Sequence, residues 1–410
     1  MAIIKPFMAV RPKAGMESEI SSLPYDVFNR KEAKEYVKTH ANSFLKIDRA
    51  ESTLPDSVDT YDDAVYENAV NIYKSMKDEG LFVKESKPCF YLYEEIMDGR
   101  SQTGLVCTAG VDDYVGNIIK KHENTRADKE IDRINHVDRL SAQTGPIFLA
   151  CRDNEELQDI FNEVKKNPPY FDFTDEYGIT EKGYLIDDDT MIKRLLDLFN
   201  NIKELYIADG HHRCASAAKV CLKRREEAAS FSGNEEFNFI LSMVFPASEL
   251  KIMDYNRVIK KLNMSKEDFL NKLNVKFNVK EIESTLNKPE KKGDIYLIFK
   301  DSEYLIRLKD EFMDKGPVET LDVSVLQKHV LSEILGIKDP KTDSNIDFVG
   351  GIRGIKELKK RLDTDAEACF AMFPTSLNEL FNVADAGLLM PPKSTWFEPK
   401  LRSGLFIHEI

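Results

Sequence analysis

The chain has 410 residues, 42% of them hydrophobic and 31% charged, with a net charge of −13 from 58 basic and 71 acidic side chains. This composition is typical of a globular protein with a sizeable core, long enough for two or three domains, and it excludes wholesale disorder. Because an acidic surface repels polyanions, we expect no general binding of nucleic acid.

The cysteines and the apolar segments indicate the cellular compartment of the protein. The six cysteines form no CxxC pair and have no zinc-finger spacing, which favours a reducing environment over a disulfide framework. The N-terminus lacks the apolar region of a signal peptide, and no stretch approaches the roughly 20 apolar residues of a membrane span. We therefore expect a cytoplasmic protein without a membrane partner.

Hydrophobic periodicity and turn residues predict the elements of the first half of the chain. In chain order they are a strand at 2–4, a loop at 21–30, a helix at 31–39, a strand at 43–47, a helix at 61–79, a hairpin of 89–95 with 103–111, a helix at 128–142, a strand at 147–150, and helices at 155–165 and 189–199.

The same patterns continue through the second half. They predict a strand at 204–208, a helix at 216–229, a strand at 239–245, a mostly helical stretch at 260–292, a hairpin of 296–299 with 304–307, helices at 325–335 and 355–362, a strand at 368–373 and an irregular tail at 390–410. Strands and helices mix without regular βαβ alternation, which favours an α+β fold of mixed sheets with flanking helices. We place a domain boundary at the charged stretch, giving domains at 1–260 and 261–410.

The most informative motif is Asp209-Gly210-His211-His212-Arg213, which joins a predicted strand to a helix that begins near His211. Glycine permits a tight turn and the close approach of a ligand. The first N–H groups of a helix lack intrahelical partners and lie at the positive end of its dipole, where phosphate binds well. Arg213 adds a permanently charged fork suited to phosphate oxygens. The motif therefore predicts a phosphate-binding turn, with Gly210 and Arg213 as its ligands.

Asp209, His211 and His212 are the candidate catalytic residues of this turn. Histidine exchanges protons near neutral pH, so either ring can serve as a donor or a base. Asp209 could hold a histidine tautomer, bind Mg²⁺, or act as a base toward a substrate hydroxyl. The alternative is that Asp209 only caps the helix and the two histidines lie at its polar end.

A second polar group precedes and enters the helix at 128–142. Lys129, Arg133 and His136 share one helix face at four- and three-residue spacing, and Glu123 is a candidate metal ligand or general base. The residues predicted here to bind phosphate or nucleotide are His122, Thr125, Lys129 and Arg133. The alternative is a solvated helix with ordinary salt bridges.

Three loop segments supply candidate substrate-binding residues. These are Tyr25 and Asp26 near the N-terminus, Gln143 before a strand, and Lys393, Ser394 and Thr395 near the C-terminus. Lys400, Arg402 and Ser403 follow in the same tail, where lysines and hydroxyls could close over phosphates. For each segment a structural role, as a turn or as a packed tail, is the alternative.

The Asp-Gly-His-His-Arg motif resembles the signature shared by ParB-like proteins and the free-serine kinases of that fold, where it lines a nucleotide phosphate pocket. Over nearly its full length the chain resembles the family called domain of unknown function 1015, in the segments 23–27, 122–125, 142–148, 209–213, 390–397 and 399–404. The resemblance implies a ParB-like nucleotide-binding core with insertions at 1–260, and a C-terminal α+β region whose tail closes the active site.

This resemblance also implies a function in phosphoryl transfer to a small metabolite. The best interpretation is an ATP- or ADP-dependent kinase of a free hydroxyl amino acid such as serine, with Mg²⁺ held by Glu123 and Asp209. The chain has no GxxxxGK[ST] loop and no protein-kinase signature, so such a kinase uses a different scaffold. A phosphatase of a phospho-amino acid and a non-enzymatic nucleotide-binding switch stay as alternatives. The expected partners are a small substrate and a nucleotide; the oligomeric state stays open, with a homodimer the commonest closed assembly.

Overall fold

The computed structural model describes residues 1–125, 127–283 and 287–410. The chain divides into two compact units, a first unit of Met1–Leu250 with Pro399–Ile410, and a second unit of Lys251–Glu398. The predicted division at residue 260 thus falls inside the second unit. It follows directly on the strand Tyr255–Ile259, which is paired on both sides in the sheet of that unit.

The α-helices of the described residues are α1 (Glu17–Ile20), α2 (Arg30–Thr39), α3 (Leu45–Asp48), α4 (Asp63–Asp78), α5 (Val111–Val115), α6 (Ala127–Leu140), α7 (Glu155–Val164), α8 (Asp189–Phe199), α9 (His211–Glu227), α10 (Lys266–Lys276), α11 (Asp322–Leu326), α12 (Gly354–Thr364) and α13 (Leu377–Asp385). A π-helical turn at Gln327–Ser332 extends α11, and a 3-10 turn spans Tyr25–Val27.

The strands are β1 (Ile4–Lys5), β2 (Val10–Pro12), β3 (Phe82–Lys84), β4 (Phe90–Met97), β5 (Arg100–Gly110), β6 (Ile119–Lys120), β7 (Ala142–Gln143), β8 (Ile147–Cys151), β9 (Phe171–Thr174), β10 (Thr180–Ile186), β11 (Leu205–Asp209), β12 (Phe239–Pro246), β13 (Ile252–Met253), β14 (Tyr255–Ile259), β15 (Phe277–Ile282), β16 (Ile295–Ile298), β17 (Glu303–Leu308), β18 (Ile346–Gly350), β19 (Ala368–Met372), β20 (Trp396–Phe397) and β21 (His408–Glu409).

The first unit is built on a nine-stranded sheet of order β6-β11-β8-β12-β5-β4-β10-β9, with β1 paired to β5. Most pairs are antiparallel, but β11 runs parallel to β6 and β12 runs parallel to β8. Both β8 and β12 are buried along their whole length, as expected for central strands covered on both faces. Helices α7, α8 and α9 contribute buried side chains to the main hydrophobic cluster of this sheet.

A second hydrophobic cluster holds the loops and the C-terminus of the first unit. On α4, Val65, Ala69, Tyr73 and Met76 recur at three- and four-residue spacing and form one buried face. The same cluster contains Ile407 of the C-terminal tail. Strand β21 pairs with β7, so the tail is fixed to the segment that follows α6.

The second unit is an antiparallel sheet of order β15-β17-β16-β19-β14-β18. The buried side chains of α12 join those of β14, β16, β18 and β19 in a hydrophobic cluster of their own. The predicted α+β class, with mixed sheets and flanking helices, is thus confirmed. Among the helices that the structure describes, none is long and apolar enough to cross a lipid bilayer.

Several predicted elements were wrong or missed. The strand predicted at 43–47 is the helix α3, because Phe44, Leu45 and Ile47 are all buried and a strand would turn successive residues to opposite faces. The stretch at 260–292, predicted to be mostly helical, contains α10 and then β15, which pairs along its length with β17; residues 284–286 lie outside the described part. The hairpin of β9 and β10, the strand β18 and the helix α13 were missed.

Candidate functional site

The Asp-Gly-His-His-Arg motif lies where β11 ends and α9 begins. Gly210, the residue before α9, has φ 93° and ψ 28°, a left-handed conformation that L side chains rarely adopt. A Cβ at this position would lie 3.0 Å from Cγ2 of Ile147 and 3.1 Å from Nη2 of Arg213. The turn therefore needs glycine both for its backbone conformation and for the close approach of Arg213.

Asp209 is the last residue of β11, and its carboxylate is engaged by two donors. The N–H of Gly210 donates to Oδ1 at 3.0 Å, and Nζ of Lys400 donates to Oδ2 at 3.1 Å. Burial alone would raise the pKa of Asp209, but the positive charges of Lys400 and Arg213 hold that pKa well below its ordinary value. Asp209 is thus ionised at neutral pH and holds a lysine of the C-terminal tail beside the start of α9.

Two predicted site histidines meet directly. The N–H of His122 donates to Nε2 of His211 at 3.4 Å, and their rings pack edge to face with centroids 4.5 Å apart. Burial lowers the pKa of both rings, to about 4 for His122. Both imidazoles are therefore neutral at pH 7, and the acceptor role of Nε2 places the proton of His211 on Nδ1.

Arg213 extends from the first turn of α9 into a narrow cavity of the first unit. Its Nη1 donates to the carbonyl of Pro146 at 2.7 Å. Three other predicted site residues line the same cavity, namely Tyr25, Arg133 and Gln143. Residues from four separate stretches of the sequence thus converge at one place.

Arg133 is buried and has a defined orientation. Its Nε and Nη2 both lie 2.9 Å from Oδ2 of Asp132, and its guanidinium carbon lies 4.1 Å from the centre of the Tyr25 ring. A cation over an aromatic face is attracted by the ring quadrupole. Burial, with a contribution from Asp26, raises the pKa of Tyr25, so its hydroxyl is protonated. The pair fixes the N-terminal loop against α6.

The other predicted residues around α6 are engaged with protein groups. Thr125 donates from Oγ1 to Oε2 of Glu130 at 2.6 Å, and Lys129 lies 3.5 Å from the hydroxyl of Tyr61. Glu123 is half-buried. His212 is half-buried on the first turn of α9, and its carbonyl accepts from Ser216 Oγ at 2.7 Å.

The donor set does not by itself form a magnesium site. In residues 1–125, 127–283 and 287–410, no three His, Cys, Asp or Glu side chains come together as a metal site. Oxygen ligands are what Mg²⁺ requires, and one oxygen of Asp209 is occupied by Lys400. Mg²⁺ at Glu123 and Asp209 stays a prediction.

The predicted substrate-binding residues have different outcomes. Gln143 lines the cavity, but its amide is used by the neighbouring strand: Nε2 donates to the Phe239 carbonyl at 2.8 Å and Oε1 accepts from the Leu241 N–H at 2.6 Å. Asp26 is exposed and does not line the cavity. The amide of Gln143 thus orders β12, whatever else it contacts.

Lys393, Ser394 and Thr395 belong to the second unit. The carbonyl of Lys393 accepts from Nη2 of Arg257 at 3.1 Å, and Ser394 Oγ donates to the carbonyl of Pro391 at 2.5 Å. These bonds order the loop between α13 and β20. The predicted contact of these residues with a substrate is not tested by the geometry of the first unit.

Sequence reasoning missed some of the cavity. Asp48 is 3% exposed and lines the cavity, but it follows the strand predicted at 43–47 and was not among the predicted site residues. The tail also contributes, because Ser403 lines the cavity and the N–H of Gly404 donates to the carbonyl of Thr144 at 2.9 Å. A buried aspartate is a signal of function, but its burial could not be read from the sequence.

The tail is anchored by a fully buried arginine. Arg402 donates from Nη1 to Oδ2 of Asp175 at 2.6 Å, and from Nη2 and Nε to the carbonyl and the hydroxyl of Ser21, each at 3.0 Å. Both partners of the ion pair have side chains that are at most 1% exposed. This anchor lies between Lys400 and Ser403 in the sequence and so fixes the positions of both.

Comparison with known proteins identifies the family of this chain. Three solved structures are similar: a conserved hypothetical protein from Pyrococcus furiosus (16% identity, 73% of this chain and 94% of that chain, TM-score 0.37), a free serine kinase in complex with AMP (14%, 72% and 90%, 0.37), and SbnI with a C-terminal truncation from Staphylococcus aureus (11%, 72% and 82%, 0.37). These sequence identities and TM-scores are too low to support an inference about activity, and the ParB-like core stays a prediction. No curated protein matches. The model of the family described as "Protein of unknown function (DUF1015)" matches residues 4–324, and the chain belongs to this family.

Proposed function

We propose that this protein is a phosphoryl-transfer enzyme that acts on a small metabolite. The supporting observation is the convergence of Arg213 and Arg133 on one cavity beside the first turn of α9. Two permanently charged guanidinium groups and the N–H end of a helix supply donors for an anion in a protein whose net charge is −13, and the charges of Asp48 and Asp132 balance Arg133. Such an environment selects an anionic ligand, and the N–H and guanidinium geometry suits phosphate oxygens.

In this proposal the ligand is a nucleotide, and the first turn of α9 with Arg213 holds its phosphates. Lys400, which lies beside Asp209, supplies a further positive charge near the same turn. The neutral imidazoles of His122 and His211 can donate hydrogen bonds without adding charge. Phosphoryl transfer depends mainly on positioning and on stabilisation of charge, which these groups supply.

The finer proposal is a kinase that uses ATP or ADP and a free hydroxyl amino acid such as serine; it is supported by the sequence resemblance described above. The acceptor hydroxyl oxygen would form the new bond to phosphorus while the phosphoanhydride bond of the donor breaks. The hydroxyl proton would pass to a carboxylate, for which Asp209 and Glu123 are the candidates. The ion pair with Lys400 and the lowered pKa make Asp209 a weak base.

Phosphorus NMR of the purified full chain with Mg²⁺, ATP or ADP, and a pool of amino acids tests this proposal. A new phosphomonoester signal is expected with the wild type and is expected to vanish in Arg213→Gln. Arg194→Gln is a matched control, because Arg194 lies on α8 and pairs with Glu156 and Glu163 at the surface. Release of phosphate from phosphoserine without transfer would instead indicate a phosphatase, and nucleotide binding without either reaction would indicate a switch.

A further inference from the structure

Besides Arg213, the cavity beside α9 is lined by two buried charged side chains of opposite sign. Asp48, at the end of α3, and Arg133, on α6, both line it. Asp48 is 3% exposed and Arg133 is 7% exposed. Charged side chains are rarely buried to this extent unless each charge is compensated by a partner.

Asp48 is only half satisfied by its protein neighbours. Its Oδ1 accepts from Thr144 Oγ1 at 2.8 Å. His136 Nε2 lies 4.0 Å from the same oxygen, but it bonds to the carbonyl of Ile47 at 3.1 Å. Among the described residues, no side chain donates to Oδ2 of Asp48.

Arg133 shows the complementary pattern. Its Nε and Nη2 are both directed at Asp132, while Nη1 has no acceptor in the described part of the chain. One carboxylate oxygen and one guanidinium nitrogen are therefore left open by the residues around a single cavity. A ligand that carries both an ammonium and a carboxylate would satisfy the two together.

We propose that Asp48 and Arg133 form the acceptor subsite of the enzyme, in which Asp48 binds the ammonium group and Arg133 the carboxylate group of an α-amino acid. Thr144 supports the subsite, because its hydroxyl donates to Asp48 and keeps lone pairs that can accept from an ammonium. This inference rests on the proposed function for the reaction, but the binding that it describes can be measured without turnover.

The arrangement makes the subsite selective for ligands that carry both an ammonium and a carboxylate group. The charges of Asp48 and Arg133 offset each other in part, and Asp132 also pairs with Arg133. An acceptor without an ammonium still leaves Oδ2 of Asp48 without a donor, and an acceptor without a carboxylate leaves Nη1 of Arg133 without an acceptor. Sites with dedicated polar partners reject analogues that lack the matching group, since the unpaired group then carries the full cost of desolvation. The alternative is that Asp48 only positions Thr144. Ligands with and without an ammonium group would then bind with the same affinity.

Isothermal titration of the full chain, with and without ADP, distinguishes these cases. The ligands are L-serine, L-alanine, 3-hydroxypropionate, which lacks the ammonium, and ethanolamine, which lacks the carboxylate. We expect both amino acids to bind and each truncated ligand to bind at least about tenfold more weakly. Equal binding of L-serine and 3-hydroxypropionate, or no binding of either amino acid, would overturn the proposal.

Asp48→Asn assigns the effect to the residue, because it keeps the shape and the acceptor for Thr144 but removes the charge. We expect it to lose about tenfold in affinity for L-serine and to bind 3-hydroxypropionate as the wild type does. Asp63→Asn, at an exposed acid on α4, is the matched control. An Asp48→Asn variant that binds L-serine like the wild type would contradict the assignment. If the variant does not fold, the ligand series on the wild type still decides.

The inference and the proposed function can fail separately. Binding of L-serine that depends on Asp48, without phosphoryl transfer under any condition, would contradict the kinase and support the subsite. Phosphoryl transfer to an acceptor without an ammonium group, as efficient as transfer to L-serine, would support the kinase and contradict the subsite.

Discussion

Nζ of Lys400 lies 3.1 Å from Oδ2 of Asp209, although the two residues are 191 positions apart in sequence. The C-terminal tail thereby supplies a positive charge to the turn between β11 and α9. Because Arg402 is buried two residues further on, this contact has a fixed anchor and is not a chance encounter of two surface side chains. We therefore regard the tail of the first unit as part of the candidate site.

Removal of the Lys400 charge should weaken nucleotide binding. We expect Lys400→Met to lose about tenfold in affinity for ADP, as is typical for one charge-assisted contact, and Lys400→Arg to keep most of it. Titration calorimetry measures both. Lys193→Met, which breaks an exposed pair with Asp197 on α8, should leave the affinity unchanged. An unchanged affinity in Lys400→Met would exclude the tail from the phosphate site.

The effect of Lys400→Met on the melting temperature should depend on pH. The folded-state pKa of Asp209 is depressed, so its contribution to stability is complete above the ordinary aspartate pKa of about 3.9 and is lost as the pH falls below it. We expect the wild type to exceed Lys400→Met in melting temperature at pH 7 and the difference to shrink toward pH 3. A difference that grows in acid would contradict this assignment.

Loss of the Arg402 anchor should destabilise the first unit. Arg402→Met leaves the carboxylate of Asp175 buried without its partner, which typically costs about 3–5 kcal/mol. Denaturant unfolding of the variant tests this. The double variant with Asp175→Asn should recover part of the loss, because the uncompensated charge is gone. A single variant as stable as the wild type would show that the backbone pairing of Ser403 with Ser22 suffices to hold the tail.

Gly210→Ala should both strain the turn and displace Arg213. Left-handed backbone costs a residue with a Cβ about 1 kcal/mol, and the contacts with Ile147 and Arg213 add to this cost. Gly233→Ala is the matched control, because Gly233 has φ 88° with no atom within 4 Å of the added Cβ. We expect Gly210→Ala to lose more stability than Gly233→Ala and also to lose ADP affinity. Equal losses in the two variants would show that crowding at Gly210 has no effect.

Much of this site could be read from the sequence because it is local. The turn, its glycine and the helix beginning at His211 follow from neighbouring residues, and the spacing of Lys129, Arg133 and His136 put Arg133 on the correct helix. The contribution of Asp48 could not be derived, because its segment has mixed apolar spacing and its burial depends on tertiary packing. The engagement of both amide groups of Gln143 by β12 is likewise a property of the assembled sheet.

For the fold as well, only the elements that neighbouring residues specify could be predicted from the sequence. Long periodic helices such as α4 and α8, and the hairpin of β4 and β5 with Asp98-Gly99 at its turn, are specified locally and were predicted. The strand β10 was missed because its polar residue Glu181 points into the protein, where Tyr93 donates to it at 2.6 Å. Alternation of apolar and polar residues does not identify a strand whose buried face contains a glutamate.

Glu181 should make the stability of the protein decline with rising pH. Burial raises the pKa of this carboxyl to about 8, against the opposing effects of Tyr93 and Arg402, while Asp175 and Glu176 also raise it. A raised folded-state pKa means that the stabilisation is complete below the unfolded value of about 4.3 and is lost as the pH rises toward 8.

Glu181→Gln tests this directly, because the amide mimics the protonated acid. Its melting temperature should match that of the wild type near pH 4 and exceed it increasingly up to pH 8 or 9. Thermal unfolding across this range, with Glu156→Gln as an exposed control, measures the divergence. Parallel pH curves for wild type and Glu181→Gln would contradict a protonated Glu181.

The most direct test of the central claim is the affinity of ADP for the wild type, Arg213→Gln and the control Arg194→Gln, measured by titration calorimetry at two salt concentrations. The account predicts that the wild type binds ADP, more weakly at high salt, and that Arg213→Gln lowers the affinity at least about tenfold while Arg194→Gln leaves it unchanged. ADP binding of equal affinity in the wild type and Arg213→Gln would show that the cavity beside α9 is not the nucleotide site.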